Sequence, residues 1–171
     1  MNLSVVVELE ASGDEEAIHQ LNVNAFDGRT EEADLVDALR DAGDLILSLV
    51  ARYQGEIVGH VAFSRVSIDA TTGPAGGVAL APVGVRPDLQ NRGVGLELIV
   101  DGIELLAQRG ESVILVVGNP AYYARFGFSV TEAQAYPCVY SGPYFMVRQI
   151  GGGAAPATGP VTYPDAFDIV N

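Results

Sequence analysis

The sequence predicts an α/β (α+β) fold, with a mixed central sheet splayed by a bulge and flanked by helices. Three observations predict it. Residues 45–53 and 56–69 are strand-like apolar runs separated by Gln54-Gly55, a two-residue signal for a hairpin. Residues 78–117 run strand, tight turn, amphipathic helix, strand, an order that yields parallel neighbours. Pro82 and Gly84 lie inside the first of those two strands. Proline cannot donate to a ladder and glycine weakens one, so a bulge is expected there, pushing this strand away from its partner.

In chain order, residues 3–10 read as a strand. Gly13-Asp14 reads as a helix start, with Asp14 as N-cap and Glu15 and Glu16 at the positive end of the helix dipole. Ile18, Leu21 and Ala25 give that helix a core face. After a loop around Phe26-Asp27-Gly28, a second helix covers about residues 31–42, with Leu35, Ala38, Leu39 and Ala42 inward. Its other face carries Asp34, Asp37 and Asp41; solvated surface is the plain reading, and reception of a cationic substrate the sharper one. The hairpin follows, and the glycine-rich residues 71–77 read as a flexible loop. In the helix after the tight turn, Leu96, Ile99, Val100, Ile103, Leu106 and Ala107 fall at helical spacing. Residues 113–117 are continuously apolar and β-branched, as in a strand buried on both faces. A short helix closes on Gly127-Phe128, residues 129–140 carry no clear pattern, and residues 144–150 read as a last strand. Residues 151–160 form a Gly/Ala/Pro linker, and the tail regains Tyr163, Phe167 and Ile169. The expected organisation is one domain over residues 1–150, then a linker and tail over 151–171 that packs on the domain or on a neighbour.

At 171 residues and 49% hydrophobic, the chain is large enough for a real core. A net charge of −13 argues against a nucleic-acid partner, which needs basic patches. The single Cys138 excludes an internal disulfide and a Cys-rich metal site, and no metal is expected. No basic stretch followed by an apolar run opens the chain, and no apolar run reaches spanning length. A cytoplasmic protein without a membrane partner is expected.

The turn Gln90-Asn91-Arg92-Gly93-Val94-Gly95 runs straight into the helix. A helix N-terminus presents unpaired N–H groups and a positive dipole end. Gly93 and Gly95 let an anion approach the backbone, and Arg92 can fork onto phosphate oxygens. The turn reads as a pyrophosphate cradle. No Lys-Ser/Thr follows, so it is not a P-loop, and the third glycine of a dinucleotide fingerprint is missing. Beside it, two splayed strands leave free N–H and C=O groups along an open edge, where an extended amide-bearing chain can pair. Pyrophosphate at one end and a two-amide arm at the other describe coenzyme A.

These residues resemble the acetyl-CoA-binding core of the GNAT superfamily of N-acetyltransferases. Gln90-x-x-Gly93-x-Gly95 matches that family's pyrophosphate motif. Tyr123-x-x-x-Gly127-Phe128 matches its downstream motif, whose Tyr is often the general acid. The resemblance implies a GNAT fold, acetyl-CoA as cosubstrate, and acetyl transfer to a primary amine through a direct ternary complex. It implies that Val83, Gly84 and Val85 line the acetyl and pantetheine arm, and that Gln90, Asn91, Arg92, Gly93, Val94, Gly95 and Leu96 form the pyrophosphate site. Tyr123 is then the candidate acid. Adjacent Tyr122 points about 100° away on a helix, and the spacing to Gly127 selects Tyr123 over it. Asn119 is left out of the binding set, because the helix before Tyr123 is shorter than in many relatives.

No general base is legible. The strand over residues 78–85 has no carboxylate or histidine, His60 in its apolar run reads as a packed residue, and His19 lies at a helix surface. Waters, or an amine arriving neutral, would serve. Cys138 as an acyl-accepting nucleophile has no charged partner near it in sequence. The acceptor stays open among a small amine, an amino acid, an aminoglycoside, and a protein N-terminus or lysine; residues 71–77 and 129–143 are expected to shape its pocket. The alternative to an enzyme is a non-catalytic acyl-CoA-binding module on the same fold, and a bulkier acyl donor is a third reading. Members of the family often form dimers, so a homodimer is compatible with the sequence.

Overall fold

Apolar alternation builds the strands, and the helices cover them. The computed structural model describes residues 2–152 and 155–171. Its elements run β1 (Val6–Leu9), α1 (Glu15–Ala25), α2 (Glu31–Ala42), β2 (Leu45–Tyr53), β3 (Glu56–Ala70), β4 (Gly73–Val85), α3 (Val94–Gln108), β5 (Val113–Val117), α4 (Pro120–Tyr123), α5 (Val130–Ala133), β6 (Phe145–Gln149) and β7 (Val161–Thr162). The strand order is β1-β2-β3-β4-β5-β6, with β7 beside β3. Among the described residues no helix is long and apolar enough to cross a membrane. Contacts divide the chain into two compact units, residues 2–64, 81–102 and 165–171 in the first, and 65–80 and 103–164 in the second.

In the first unit, β1 pairs antiparallel with β2, and β2 with β3. Gln54 and Gly55 both take positive φ (52° and 82°), as the two-residue hairpin turn requires. Side chains alternate across β3. On one face, Ala62 joins Val50, Ile18 of α1 and Val36 of α2 in a core cluster. On the other, Gly59 admits Val94 and Leu98 of α3, and Phe63 lies on Gly102, where a Cβ would come within 2.5 Å of the ring. The apolar face of α3 is therefore rotated from the expected one. Val94, Leu98, Ile99, Ile103 and Leu106 are buried, whereas Val100 and Ala107 are exposed. In α2, Ala33 and Val36 are buried beside Leu35 and Leu39, and Ala42 is exposed. Asp14 stands at the N-cap of α1 without capping it; its carboxylate accepts from Ala11 N–H (2.8 Å) and pairs with Arg52 (2.6 Å). The last turn, Asp165–Val170, packs against α2 and buries Phe167.

In the second unit, β4 pairs parallel with β5 at Val78↔Ile114 and Ala79↔Leu115, and β5 pairs antiparallel with β6. The sheet is thus mixed, as predicted. The register irregularities lie between β2 and β3, at Leu45/Leu47 and Ala51/Arg52, while β4 has a cis peptide bond at Ala81–Pro82. β7 pairs with the end of β3 at Ser67↔Thr162 and Ile68↔Val161. Arg65 is clamped by both oxygens of Glu111 (2.7 and 2.8 Å). One expectation is corrected here: residues 73–77 are strand rather than flexible loop, because Gly77 makes room for Ile68, Val66 and Val113 at 3.1–3.2 Å from its absent Cβ. The unpatterned segment holds α5, capped by Ser129, whose hydroxyl accepts from Glu132 N–H (3.1 Å). Residues 153 and 154 of the expected linker lie outside the described residues.

Candidate functional site

The loop between β4 and α3 is built to present the helix start. Arg86 N–H donates to Val58 C=O (2.9 Å), a 3₁₀ turn follows at Pro87–Leu89, and buried Leu89 pins it. The Gln90 side chain donates back to Val85 C=O (3.1 Å). Asn91 and Gly93 take left-handed φ (61° and 85°), and the Gly93 carbonyl accepts from Glu97 N–H (3.1 Å) as α3 begins. The N–H groups of the first turn have no carbonyl one turn back, so they remain available to an anion. Gly93 is needed twice over: for its φ, and because a Cβ would stand 2.9 Å from the Asn2 carboxamide carbon. The N-terminal segment is tied to the loop by Leu3 N–H donating to Arg92 C=O (2.8 Å). Arg86 is engaged by Asp88 (2.7 Å) and Glu56 (3.3 Å), and the bond to Asp88 holds its pKa up and that of Asp88 down. Arg92 forms no salt bridge among the described residues, though its charge, after that of Arg86, also favours ionised Asp88.

The end of β4 belongs to the same unit. Val83 and Val85 are half-buried and Gly84 is buried against α1, where its missing Cβ would meet Asn22 Oδ1 at 2.6 Å and Ala25 Cβ at 3.2 Å. His60 of β3 is fully buried against Asn22; its Nδ1 accepts from Asn22 Nδ2 (3.2 Å), and its Nε2–H donates to Ser48 Oγ (2.8 Å). The tautomer follows from the Asn22 amide, which donates also to Ile18 C=O (3.2 Å). Burial, with the Arg40 charge second, pushes the His60 pKa down to about 3. His60 is a neutral packed residue, as expected, and not a base. The acidic face of α2 is partly compensated: Asp37 bonds His19 Nδ1 (2.7 Å) and Arg40 (3.2 Å).

Tyr123 stands in the second unit. Asn119 caps α4, its side chain accepting from Ala121 N–H (2.9 Å), and Pro120 fills the first helical position. The Tyr123 ring is buried, lies on Gly118, and meets Tyr122 (5.0 Å between centroids) and Phe128 (5.8 Å) edge-on. Gly127, at φ +83°, closes the turn Ala124–Phe126 that brings Phe128 back onto Tyr123. The Tyr…Gly-Phe spacing is thus an aromatic packing unit as well as a motif. Burial, and then Tyr122, pushes the Tyr123 phenol up to about 12. Burial also pushes the Cys138 thiol up, which keeps it protonated and a poor nucleophile. Val130, Ala133, Gln134, Ser141, Gly142 and Pro143, from the segment expected to shape an acceptor pocket, and Phe145 of β6 line a cavity of about 290 Å³.

A family model described as an acetyltransferase (GNAT) domain matches residues 8–131. The chain belongs to the GNAT acetyltransferase family. This GNAT acetyltransferase is 30% identical over 168 residues to the uncharacterized N-acetyltransferase YhbS of Escherichia coli, covering 96% of this chain and 99% of that one. It is 38% identical over 129 residues to the uncharacterized N-acetyltransferase YjhQ of the same species, covering 74% and 71% of the two chains. The crystal structure of YhbS in complex with CoA matches with a TM-score of 0.85, over 98% of this chain and 94% of that one. A Brucella melitensis GNAT family acetyltransferase in complex with acetyl-CoA, 34% identical, matches with a TM-score of 0.80 over 96% and 99%. The fold is the GNAT fold, and the protein is an acyltransferase.

In this GNAT domain the expected binding residues 83–85 and 90–96 all fall in the first unit and Tyr123 in the second. Asn119, left out of the expected binding set, serves as the cap of α4, the Asn-Pro start of a helix. Two other asparagines escaped the sequence reading. Asn2 and Asn22 carried no signal, because each acts on a glycine far away in the chain.

Proposed function

We propose that this chain transfers the acetyl group of acetyl-CoA to a primary amine in a direct ternary complex. The observation that carries the reading is the cradle at residues 90–96: a helix start, an Arg92 in no salt bridge among the described residues, and a Gly93 whose place no other residue can take without strain. The relatives with bound CoA and acetyl-CoA support the choice of cosubstrate.

Arg92 and the first-turn N–H groups hold the pyrophosphate, with Gln90, Asn91, Gly93, Val94, Gly95 and Leu96 shaping the cradle. Backbone groups of Val83, Gly84 and Val85 pair with the pantetheine arm and polarise the thioester carbonyl. The amine nitrogen forms a bond to the carbonyl carbon, the C–S bond breaks, the amine loses a proton to water, and the sulfur gains one. Tyr123 is the acid at the sulfur. Its phenol holds its proton at neutral pH, but it is a weaker acid than a thiol of pKa about 8.5. Its contribution is a hydrogen bond to the developing thiolate charge, and the proton that the sulfur finally takes is made good from solvent. With His60 neutral and sealed, water takes the amine proton or the amine arrives neutral. The acceptor is a small-molecule or peptide amine, and a single protonated thiol suits a cytoplasmic protein.

Thermal unfolding with and without acetyl-CoA tests the cosubstrate. At about a hundredfold over Kd, a ligand that binds only the folded state adds about 2.7 kcal/mol. Wild type should melt higher with acetyl-CoA, and Gly93→Glu should show no shift. Absence of a shift in wild type would overturn the proposal.

A further inference from the structure

Among the described residues the buried polar side chains are Asn22, Ser48, His60 and Ser64, all in the first unit. Three of them form a chain, with Ser48 Oγ bonded to His60 Nε2 (2.8 Å) and His60 Nδ1 to Asn22 Nδ2 (3.2 Å). The chain ends on an orphan: Asn22 Oδ1 is buried and has no hydrogen-bond partner. A buried carbonyl oxygen without a donor is costly, and a leucine would fill the same core volume without that cost.

The amide cannot turn over to relieve it. Nδ2 already donates to Ile18 C=O (3.2 Å) and to His60 Nδ1. A flipped amide would set an oxygen against the Ile18 carbonyl, an acceptor in either tautomer of His60. Ser48 holds the ring in place, the Ile18 carbonyl fixes the amide, and Oδ1 faces Gly84. A Cβ on Gly84 would lie 2.6 Å from that oxygen, so the oxygen occupies the space that any other residue there would use.

We propose that Asn22 is a positioning residue for acyl transfer: its locked carboxamide sets where residues 83–85 lie, and so the register in which the acyl arm pairs along that strand. The inference rests on the reading that the arm of acetyl-CoA runs along residues 83–85. It assigns a use to the buried polar chain that packing alone does not supply. The neutrality of His60 fits it, since a protonated Nδ1 would repel the Asn22 amide and release the lock.

The test compares two ligands on the intact chain by titration calorimetry. Acetyl-CoA engages cradle and arm; 3′-phospho-ADP, the nucleotide end of the same molecule, engages the cradle alone. Asn22→Leu should weaken acetyl-CoA about tenfold and leave 3′-phospho-ADP within about twofold, as loss of one net hydrogen bond implies. Gly93→Glu should weaken both. Equal weakening of both ligands by Asn22→Leu would mark general damage to the fold and overturn the proposal, as would no weakening of either. If Gly93→Glu binds both ligands like wild type, it is the site reading itself that fails. A second pair does not depend on Asn22→Leu folding. Gly84→Ala, whose methyl group would displace the Asn22 oxygen, should selectively weaken acetyl-CoA, and adding Asn22→Ala should weaken it little further, because both changes break the same contact. Fully additive losses would also overturn the proposal.

Discussion

His60 stays neutral in the folded protein through the whole range in which a free histidine titrates. Its pKa falls to about 3 from the ordinary histidine value of 6.5, so between those values the unfolded chain takes up a proton that the folded chain refuses. Stability from this residue is complete above pH 6.5 and is lost as the pH falls toward 3, at about 1.4 kcal/mol per unit. Urea unfolding at pH 7 and pH 5 should therefore show wild type losing about 2 kcal/mol more than His60→Leu. Equal losses would place the proton elsewhere. At Tyr123 the geometry predicts a limited role. A phenol near 12 that only hydrogen-bonds a thiolate should cost about 10- to 100-fold in kcat when changed to Phe, at the lower end of acid catalysis or below it, with acetyl-CoA affinity unchanged. Steady-state kinetics with any amine that is turned over measures this; an unchanged kcat would remove Tyr123 from the mechanism. Single residues were legible where a backbone demand shows in the sequence, as at Gly93 before a helix. Asn22 was not, because an interior asparagine looks like helix surface until Gly84 and His60 arrive against it from two strands.

At the scale of elements, α3 shows how a pattern can be right in kind and wrong in phase. Helical spacing gave the helix, but Gly102 hid its true face, since a residue with no side chain adds nothing to an apolar stripe. The structure turns that face onto Phe63. Two effects compete in Gly102→Ala. Helix propensity gains about 1 kcal/mol, while a methyl group 2.5 Å from the Phe63 ring overpacks the core, at about 1–3 kcal/mol. Overpacking should win and lower the melting temperature; a higher one would mean that the ring moves aside freely. The start of β4 was missed for a related reason. Residues 73–77 have the composition of a loop, yet Gly77 is small for close packing inside a strand, not for flexibility.

For the whole molecule, the mixed sheet was legible because hairpin and crossover signals are local. The division into two units was not, because β3, β4 and α3 each run from one into the other and no composition shift marks the passage. All nine basic residues are arginine, so an enzyme that acetylates amines offers no lysine of its own as a side reaction. The start of the chain matters for a different reason. Leu3 is tethered to the Arg92 carbonyl, and Asn2 lies over Gly93. Any extension joined ahead of them, an affinity tag included, would leave the chain at the rim of the proposed anion cradle. A polyhistidine tag there would add cationic side chains, at mildly acid pH, within reach of a bound pyrophosphate, and an affinity measured on such a fusion would belong to the tag as much as to the protein.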